Sequence, residues 1–490
     1  MKKIFLLLLV MILILPMALS CGGKKNEGKP TSEPSSADES GNVTDEDDGF
    51  HLPDINYGNR DFNILSLTDY NDRHYLVYHD ETGDPLSSEA FSRTLYIEKT
   101  YGVVLKFTGV PDAVTTLYNS HIGGGGDYDL IDPHPTEGIV QLLTSGILAD
   151  LYSLSYLSLD KAWYNQSQAE GYTIDGKLFI VASDLTLTGQ NFTGLVFNKE
   201  IYRSLEQEDD LYDLVDNHGW TMERLLQLSA LYGQDEDSNN IYDANDTYGI
   251  VYHKGYTTSF MYGMGQTILK KEEDGLYHLA FDTNRLTTMA ETLYGLLYES
   301  DNHAYIGTAN VASYPGSDMW KIFSSGRALF ATFDFGGLYV LLRDLDFEKG
   351  YLPLPMLDPD QTDYQVFCGA GFLGIPALAK DTSASAVLLE ALSYYSFKNL
   401  RTVFFNAILQ GRLAKKPEDY KMLELMHEKK IYDVGFTLDQ VGVAAQMLQT
   451  VVVDNKRTAI ATYLRSKGSE IKQLEKLANE LKADGGNGES

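Results

Sequence analysis

Cysteine is almost missing from this chain: 490 residues carry only two, Cys21 and Cys368. Two cysteines cannot staple a body this long, so a disulfide framework is excluded and stability must come from a core. Apolar residues make up 43% of the chain, enough to fill two or three domains. Positive charge is scarce too. Lysine and arginine total 39 against 69 aspartate and glutamate, a net charge of −30. That balance repels phosphate backbones and excludes nucleic acid as a partner. Beyond the first twenty residues no apolar run approaches the roughly 20 residues that a membrane span takes. Enzyme signatures are also lacking. There is no G-x-S-x-G, and His427 opens "HEKK" rather than H-E-x-x-H. "GYTIDGKL" matches G-x-x-x-x-G-K but puts Leu178 where a P-loop needs a hydroxyl for its metal. "GGGGDYDLI" places its glycines ahead of a strand, the reverse of a dinucleotide fingerprint. Many carboxylates can meet in a cleft for glycoside hydrolysis, yet no spacing singles out a pair.

What is present begins at the N-terminus. Lys2 and Lys3 precede an unbroken apolar stretch at 4–15, followed by Pro16 and small residues. This is a secretory pattern, so the chain is read as exported. "ALSC" then sets Ser20 directly before Cys21. It resembles the lipobox of bacterial lipoproteins, with Ala18 where leucine is usual and Leu19 one place late. The resemblance implies a signal peptide at 1–20, acylation of Cys21 with chains such as palmitate, and anchoring on the outer face of the cell membrane. Acyl chains contribute about 0.8 kcal/mol per buried methylene, so two or three hold a protein stably. The alternative is an ordinary cleavage site with an incidental cysteine. A tether is expected at 21–55, because Gly, Lys, Ser, Pro, Asp and Glu dominate to about Gly49 and such composition favours disorder. Cys368, within "VFCGAGFLGIP", reads as a small hydrophobe in a buried strand. The 33 tyrosines offer flat rings with polar tips, which suit sugars and serve equally as core filler.

The body opens near Arg60. "DFNILSL" reads as a strand, "SSEAFSRTLYIEKTYG" as a helix stopped at Gly102, and "VVLKFTG" and "YDLIDP" as strands. Strand, helix, strand at this spacing predicts an α/β layer with a parallel sheet. "GWTMERLLQLSALYG" is a helix capped by Thr221, and "RALFATFDFGG" and "YLPLPML" are strands. The end, "SKGSEIKQLEKLANELKAD", is a charged amphipathic helix. No internal repeat is present.

The order of "YDLID", "GILADLYSL", "DGKLFIVASDLTLTGQNFTGLVFNKEIY", "GWTMERLLQL", "DTYGI", "FSSGRALFATFDFGG", "YLPLP" and "CGAGFLGIP" resembles the solute-binding proteins of bacterial ABC importers. The likeness is to their large carbohydrate-type family, and "EDYKMLELMHEKKIYDVG" resembles a tail common in versions from anaerobic Gram-positive bacteria. The resemblance implies a two-lobed periplasmic-binding-protein-like α/β fold with a ligand cleft between the lobes. It divides the chain into an N-terminal lobe at 56–188 plus about 374–404 and a C-terminal lobe at 189–373 plus about 405–482. The extended stretches near 185–193 and 369–376 are the candidate crossings. Gly189, Gly194, Gly369 and Gly371 suit hinge positions or, alternatively, packing in buried strands. The family further implies a monomer that hands a small solute to permease subunits, with no chemistry and no required cofactor.

Ligands of α/β sheets sit beyond the carboxyl ends of strands. That rule selects Asp69 and Tyr70, Asp132 and His134, Tyr256, and Asp334 with Phe335. Carboxylates accept several hydrogen bonds from hydroxyls and aromatic faces stack on pyranose rings, which points to an oligosaccharide. A peptide or other polar solute is the alternative within the fold; a surface glycoside hydrolase or an adhesive lipoprotein lies outside it. The loop 235–246 sets Asp235, Asp237, Asn239, Asp243 and Asp246 at positions 1, 3, 5, 9 and 12 of an EF-hand-like pattern. A structural calcium ion is one reading and a polar surface turn the other, since Asn240 replaces the usual glycine and Asp246 the longer glutamate.

Overall fold

Three parallel strands organise the first half of the body. The computed structural model describes residues 49–135, 138–187, 192–299, 304–307, 317–334, 345–369, 371–406, 414–439, 441–454 and 457–484. All of these belong to one compact unit that begins at Gly49. Strands β1 (Arg60–Leu67), β2 (Val103–Val110) and β3 (Leu130–Asp132) pair in the order β2-β1-β3. Parallel neighbours need a crossover, and the helix Pro85–Tyr101 supplies it between β1 and β2. Its ends are written in the sequence. Asp84 accepts from the N–H groups of Leu86 and Ser87, Pro85 takes the first turn, and Gly102 stops the helix at φ 59°. Register pairs Ser66 with Asp132, so β1 and β3 finish side by side.

The stretch foreseen as a second crossing joins this sheet beyond β3. Ile131 and Gly374 exchange backbone hydrogen bonds of 2.9 and 3.0 Å in antiparallel sense, and Leu373 pairs likewise with Val181. Of the first foreseen crossing, residues 188–191, including Gly189, lie outside the described residues. Gly194 is a close-approach glycine: a Cβ there would stand 2.8 Å from the Leu352 carbonyl oxygen.

The second half is a mixed sheet. Its strands are β4 (Thr193–Asn198), β5 (Tyr248–His253), β8 (Ala304–Gly307), β9 (Ala328–Asp334) and β10 (Lys349–Pro353). A small hairpin of β6 (Leu269–Lys271) and β7 (Tyr277–Leu279) stands apart, as do β11 (Val366–Phe367) and β12 (Lys430–Ile431). The order is β10-β4-β9-β5-β8, with β4 antiparallel to both its neighbours and β9, β5 and β8 parallel. Thr193, His253, Gly307, Asp334 and Pro353 therefore share one edge. β4 and β5 are buried along their whole length, as strands covered on both faces must be. The helix Thr382–Tyr395 packs on Pro85–Tyr101, whereas Pro417–Glu428 packs on β10.

The packed body starts earlier than composition suggests. Phe50 stacks on Tyr394 at 3.8 Å and meets Trp163 edge-on at 6.2 Å, so the last residues of the expected tether are seated on the body. One buried aromatic ring outweighs the polar neighbours that masked it. Cys21 and the leader lie outside the described residues. At the other end the helix Ile460–Asp484 begins six residues ahead of the charged segment expected to form it, because Ile460 and Tyr463 are buried.

Candidate functional site

Two groups of side chains stand at the strand ends, one on each half. On the first, the chain leaves β1 through Thr68 and Asp69 into a short helix, Tyr70–His74. Asp69 is more than half exposed and pairs with Arg73 at 2.8 Å. Tyr70 lies 4.1 Å from the His74 ring and 6.5 Å from that of His134, so three rings cluster beyond the ends of β1 and β3. Asp132 sits beneath them, fully buried. Its Oδ2 accepts from the Ser66 hydroxyl at 2.9 Å and meets His74 Nδ1 at 2.6 Å, while Oδ1 is buried without a partner. Asp132 thus fixes the ring under Tyr70 instead of reaching solvent.

Sequence reasoning missed Ser66 and His74. The signal was present only in part: His74 stands four residues after Tyr70 on one helical turn, and Ser66 is the polar residue at the buried end of β1. Serine, histidine and aspartate here do not form a hydrolytic triad. Ser66 and His74 both address the same carboxylate oxygen, and both are buried.

On the second half, β5 ends at His253 and a single turn, Lys254–Tyr256, leads into the helix Thr257–Gly263. Since β5 and β9 are parallel neighbours, that turn passes over the end of β9. Tyr256 there donates its hydroxyl to Asp334 and sets its ring edge-on to His253 at 5.5 Å. Thr193 lies opposite Asp334 across β4, and its hydroxyl accepts from Ser259 at 3.2 Å. Tyr256 and Asp334, 78 residues apart, are therefore brought together. Phe335 lies outside the described residues.

The acidic loop gathers three of its five expected ligands. Oxygens of Asp235, Asp237 and Asp246 lie within 4.8 Å of one another. These side chains also close the loop on itself. Asp246 is buried and accepts from the N–H groups of Glu236 (2.9 Å) and Asp243 (2.7 Å), and Asp235 accepts from that of Asn240 at 2.7 Å. Asn239 and Asp243 accept from the N–H groups of Ile241 and Asn245. Asn240 takes the left-handed turn at φ 62°, where an EF-hand uses glycine. An acidic cluster so engaged assigns no ion by itself. A groove of about 750 Å³ on the second half is lined by residues that include Lys199, Tyr212, Asp216 and Lys421; Lys421 pairs with Asp216 across its lining, and Lys199 pairs with the buried Asp419.

No family model matches the chain, and no curated protein matches it in sequence. Solved structures do. The cyclic α-maltosyl-1,6-maltose binding protein of Arthrobacter globiformis aligns at 14% identity with a TM-score of 0.56, covering 87% of this chain and 100% of that one. This chain has the two-lobed α/β fold of the ABC solute-binding proteins. An ABC substrate-binding protein of Listeria monocytogenes, solved with cycloalternan, aligns at 14% identity and TM-score 0.54 over 85% of this chain and 98% of its own. A solute-binding protein of Thermotoga lettingae, bound with α-D-tagatose, gives 13% identity and TM-score 0.55 over 85% and 100%. Each of these neighbours is a binding protein. Among the described residues no helix is long and apolar enough to cross a membrane.

Proposed function

We propose that the protein is the lipid-anchored receptor of an ABC importer, a monomer that captures a carbohydrate between its lobes and presents it to a permease. The observation that carries this reading is the pairing of Tyr256 with Asp334 on one half and the Tyr70–His134 ring cluster on the other, each at strand ends of a fold of which two solved neighbours hold cycloalternan and α-D-tagatose. Aromatic faces and carboxylates are the groups that recognise a sugar's C–H face and its hydroxyls. Capture needs no covalent step. The solute stabilises the closed form by its differential affinity for that state, and the lobes move as rigid bodies about the crossings. Cys21, as the acylated residue, keeps the receptor at the membrane face.

A thermal-shift screen over neutral oligosaccharides, amino acids and peptides tests the reading. A ligand at one hundred times its Kd adds about 2.7 kcal/mol of stability, a clear rise in Tm. Steady release of shorter sugars during incubation would transfer the protein to the glycoside hydrolases, and a rise with peptides alone would change the solute class. Replacing Cys21 by alanine should move the protein from the membrane fraction to the medium.

A further inference from the structure

The hairpin β6–β7 belongs to the second half of the chain but reaches the first. On its own side it is fixed at three points. Buried Asp433 accepts from the N–H groups of Ile268 (2.5 Å) and Leu269 (3.4 Å). Asn479, on the helix Ile460–Asp484, exchanges two bonds of 2.9 Å with the Tyr277 backbone, and Glu475 on the same helix accepts from the Leu279 N–H at 3.0 Å. Lys271 and Tyr277 stand opposite each other in the hairpin register. The Tyr277 hydroxyl donates to the Gly171 carbonyl at 2.7 Å, and the Lys271 ammonium to the Thr173 carbonyl at 3.0 Å. Both acceptors lie at the end of the helix Gln166–Tyr172, which is tied into the first half. Gln168 on that helix donates to the Ile180 carbonyl at 3.3 Å and accepts from the Ala182 N–H at 2.9 Å.

These two bonds lie on the opposite side of the crossings from the candidate site. On the first half Ile131 pairs with Gly374, and Leu373 with Val181. So β3, the second crossing and the lead-in to the first stand in that order. The Tyr70–His134 rings are on the β1–β3 side of both chains. The helix Gln166–Tyr172 is on the other, since Tyr164 just ahead of it bridges Ser183. The second half repeats the arrangement. The first crossing enters it at Thr193, the start of β4, which lies between β9 and β10. Tyr256 and Asp334 stand on the β9–β5 side. The helix Thr257–Gly263 then passes Thr193 at Ser259 and ends by β10, where a Cβ on Gly263 would stand 2.8 Å from that of Leu354. The hairpin follows on that far side. A rotation about the crossings that brings the two site edges together must therefore draw Tyr277 and Lys271 away from Gly171 and Thr173.

We infer that the β6–β7 hairpin is a latch behind the crossings, which holds the lobes apart through Tyr277–Gly171 and Lys271–Thr173 and is broken when they close on a solute. The latch sets affinity from outside the site. A solute that needs the closed form binds more weakly in proportion to the share of molecules that are latched, and loosening the latch raises the share ready to bind. This inference rests on the receptor reading above.

Two measurements on wild type and the double variant Lys271→Ala/Tyr277→Phe test it: calorimetric titration with cycloalternan, maltotriose and α-D-tagatose, and small-angle scattering of the solute-free protein. Phenylalanine keeps the buried ring and removes only its hydroxyl. A sugar that binds wild type should bind the double variant about threefold more tightly or better, although neither replaced group belongs to the site. The solute-free variant should have the smaller radius of gyration. Equal or weaker binding, or an unchanged or larger radius, overturns the inference. If none of the three sugars binds wild type, the receptor reading loses those solutes and the radius alone judges the latch. Lys270→Ala removes the same charge from an exposed position of the same hairpin and should match wild type; an equal gain there overturns the inference. Should the double variant unfold, Lys271→Ala alone replaces it under the same criteria.

Discussion

Replacing Arg93 by methionine should cost the protein about 4 kcal/mol, within a range of roughly 1–9. Arg93 is fully buried in the helix Pro85–Tyr101. Nη1 donates to the Leu185 carbonyl (3.3 Å) and the Ser396 hydroxyl (2.7 Å), and Nη2 to the carbonyls of Leu76 (2.6 Å) and Tyr75. Methionine fills much of the same space but strands those four acceptors, at about 1–3 kcal/mol each when buried. A refund opposes the loss. Burial pulls the guanidinium down to about 10 from 12.5, which corresponds to roughly 3 kcal/mol of desolvation cost that methionine does not bear. The acceptors outweigh it. Lysine should not rescue the loss, because one ammonium with three donors cannot reach acceptors arranged around two guanidinium nitrogens. The assay is urea unfolding of wild type, Arg93→Met and Arg93→Lys. Since Tyr75 and Leu76 follow the short helix carrying Tyr70, and Leu185 begins the first extended stretch, solute affinity should fall together with stability. A methionine variant within 1 kcal/mol of wild type would refute the reasoning, for it would mean that the stranded acceptors find other donors.

Three further outcomes are expected. Burial raises the pKa of Glu390, Asp433 and Asp439 in the folded chain above their ordinary values of 4.5, 3.8 and 3.8. The stability such groups contribute is complete below the unfolded value and is lost as pH climbs through the folded one, so Tm should rise as the pH is lowered toward those ordinary values. Glu390→Gln should make that slope shallower, and an unchanged slope counts against the argument. Gly249→Ala should be strongly destabilising, by about 3 kcal/mol or more, because its Cβ would fall 2.0 Å from the Ser229 carbonyl oxygen; a wild-type Tm in calorimetry would contradict the packing. Asp246→Ala should cost about 2 kcal/mol by leaving the Glu236 and Asp243 N–H groups unpaired, and the same loss is expected with and without a chelator if the loop closes without an ion.

How much of this was legible in the sequence depends on how local each signal is. The helix Pro85–Tyr101 was readable from its period and its stop at Gly102, which lie within one short stretch, whereas its start at Pro85 under the Asp84 cap, two residues ahead of the segment read as helical, was not. β1, β2 and β3 were readable as short apolar runs. The pairing of Ile131 with Gly374 was not, nor was the bond from Arg93 to Ser396 across 303 residues, because neither end carries a mark of its partner. Phe50 was lost in polar company for the same reason: the tyrosine that receives it lies 344 positions further along, at Tyr394.

The candidate site divides along the same line, and the division says something about the rule that found it. Counting residues past a strand end located Asp69, Asp132, Tyr256 and Asp334, since parallel strands finish together and their loops must meet. It did not say which way each carboxylate turns. Asp69 and Asp132 follow neighbouring strands, yet Asp69 is exposed and paired with Arg73, while Asp132 is sealed under Tyr70. The difference lies in the donors supplied from β1 and the helix after it. Ser66 and His74 reach the end of β3 and pay the cost of burying that one carboxylate, and no such pair serves Asp69. Strand ends therefore fix where polar groups gather, and the donors on adjacent elements decide which of them are sealed and which stay exposed.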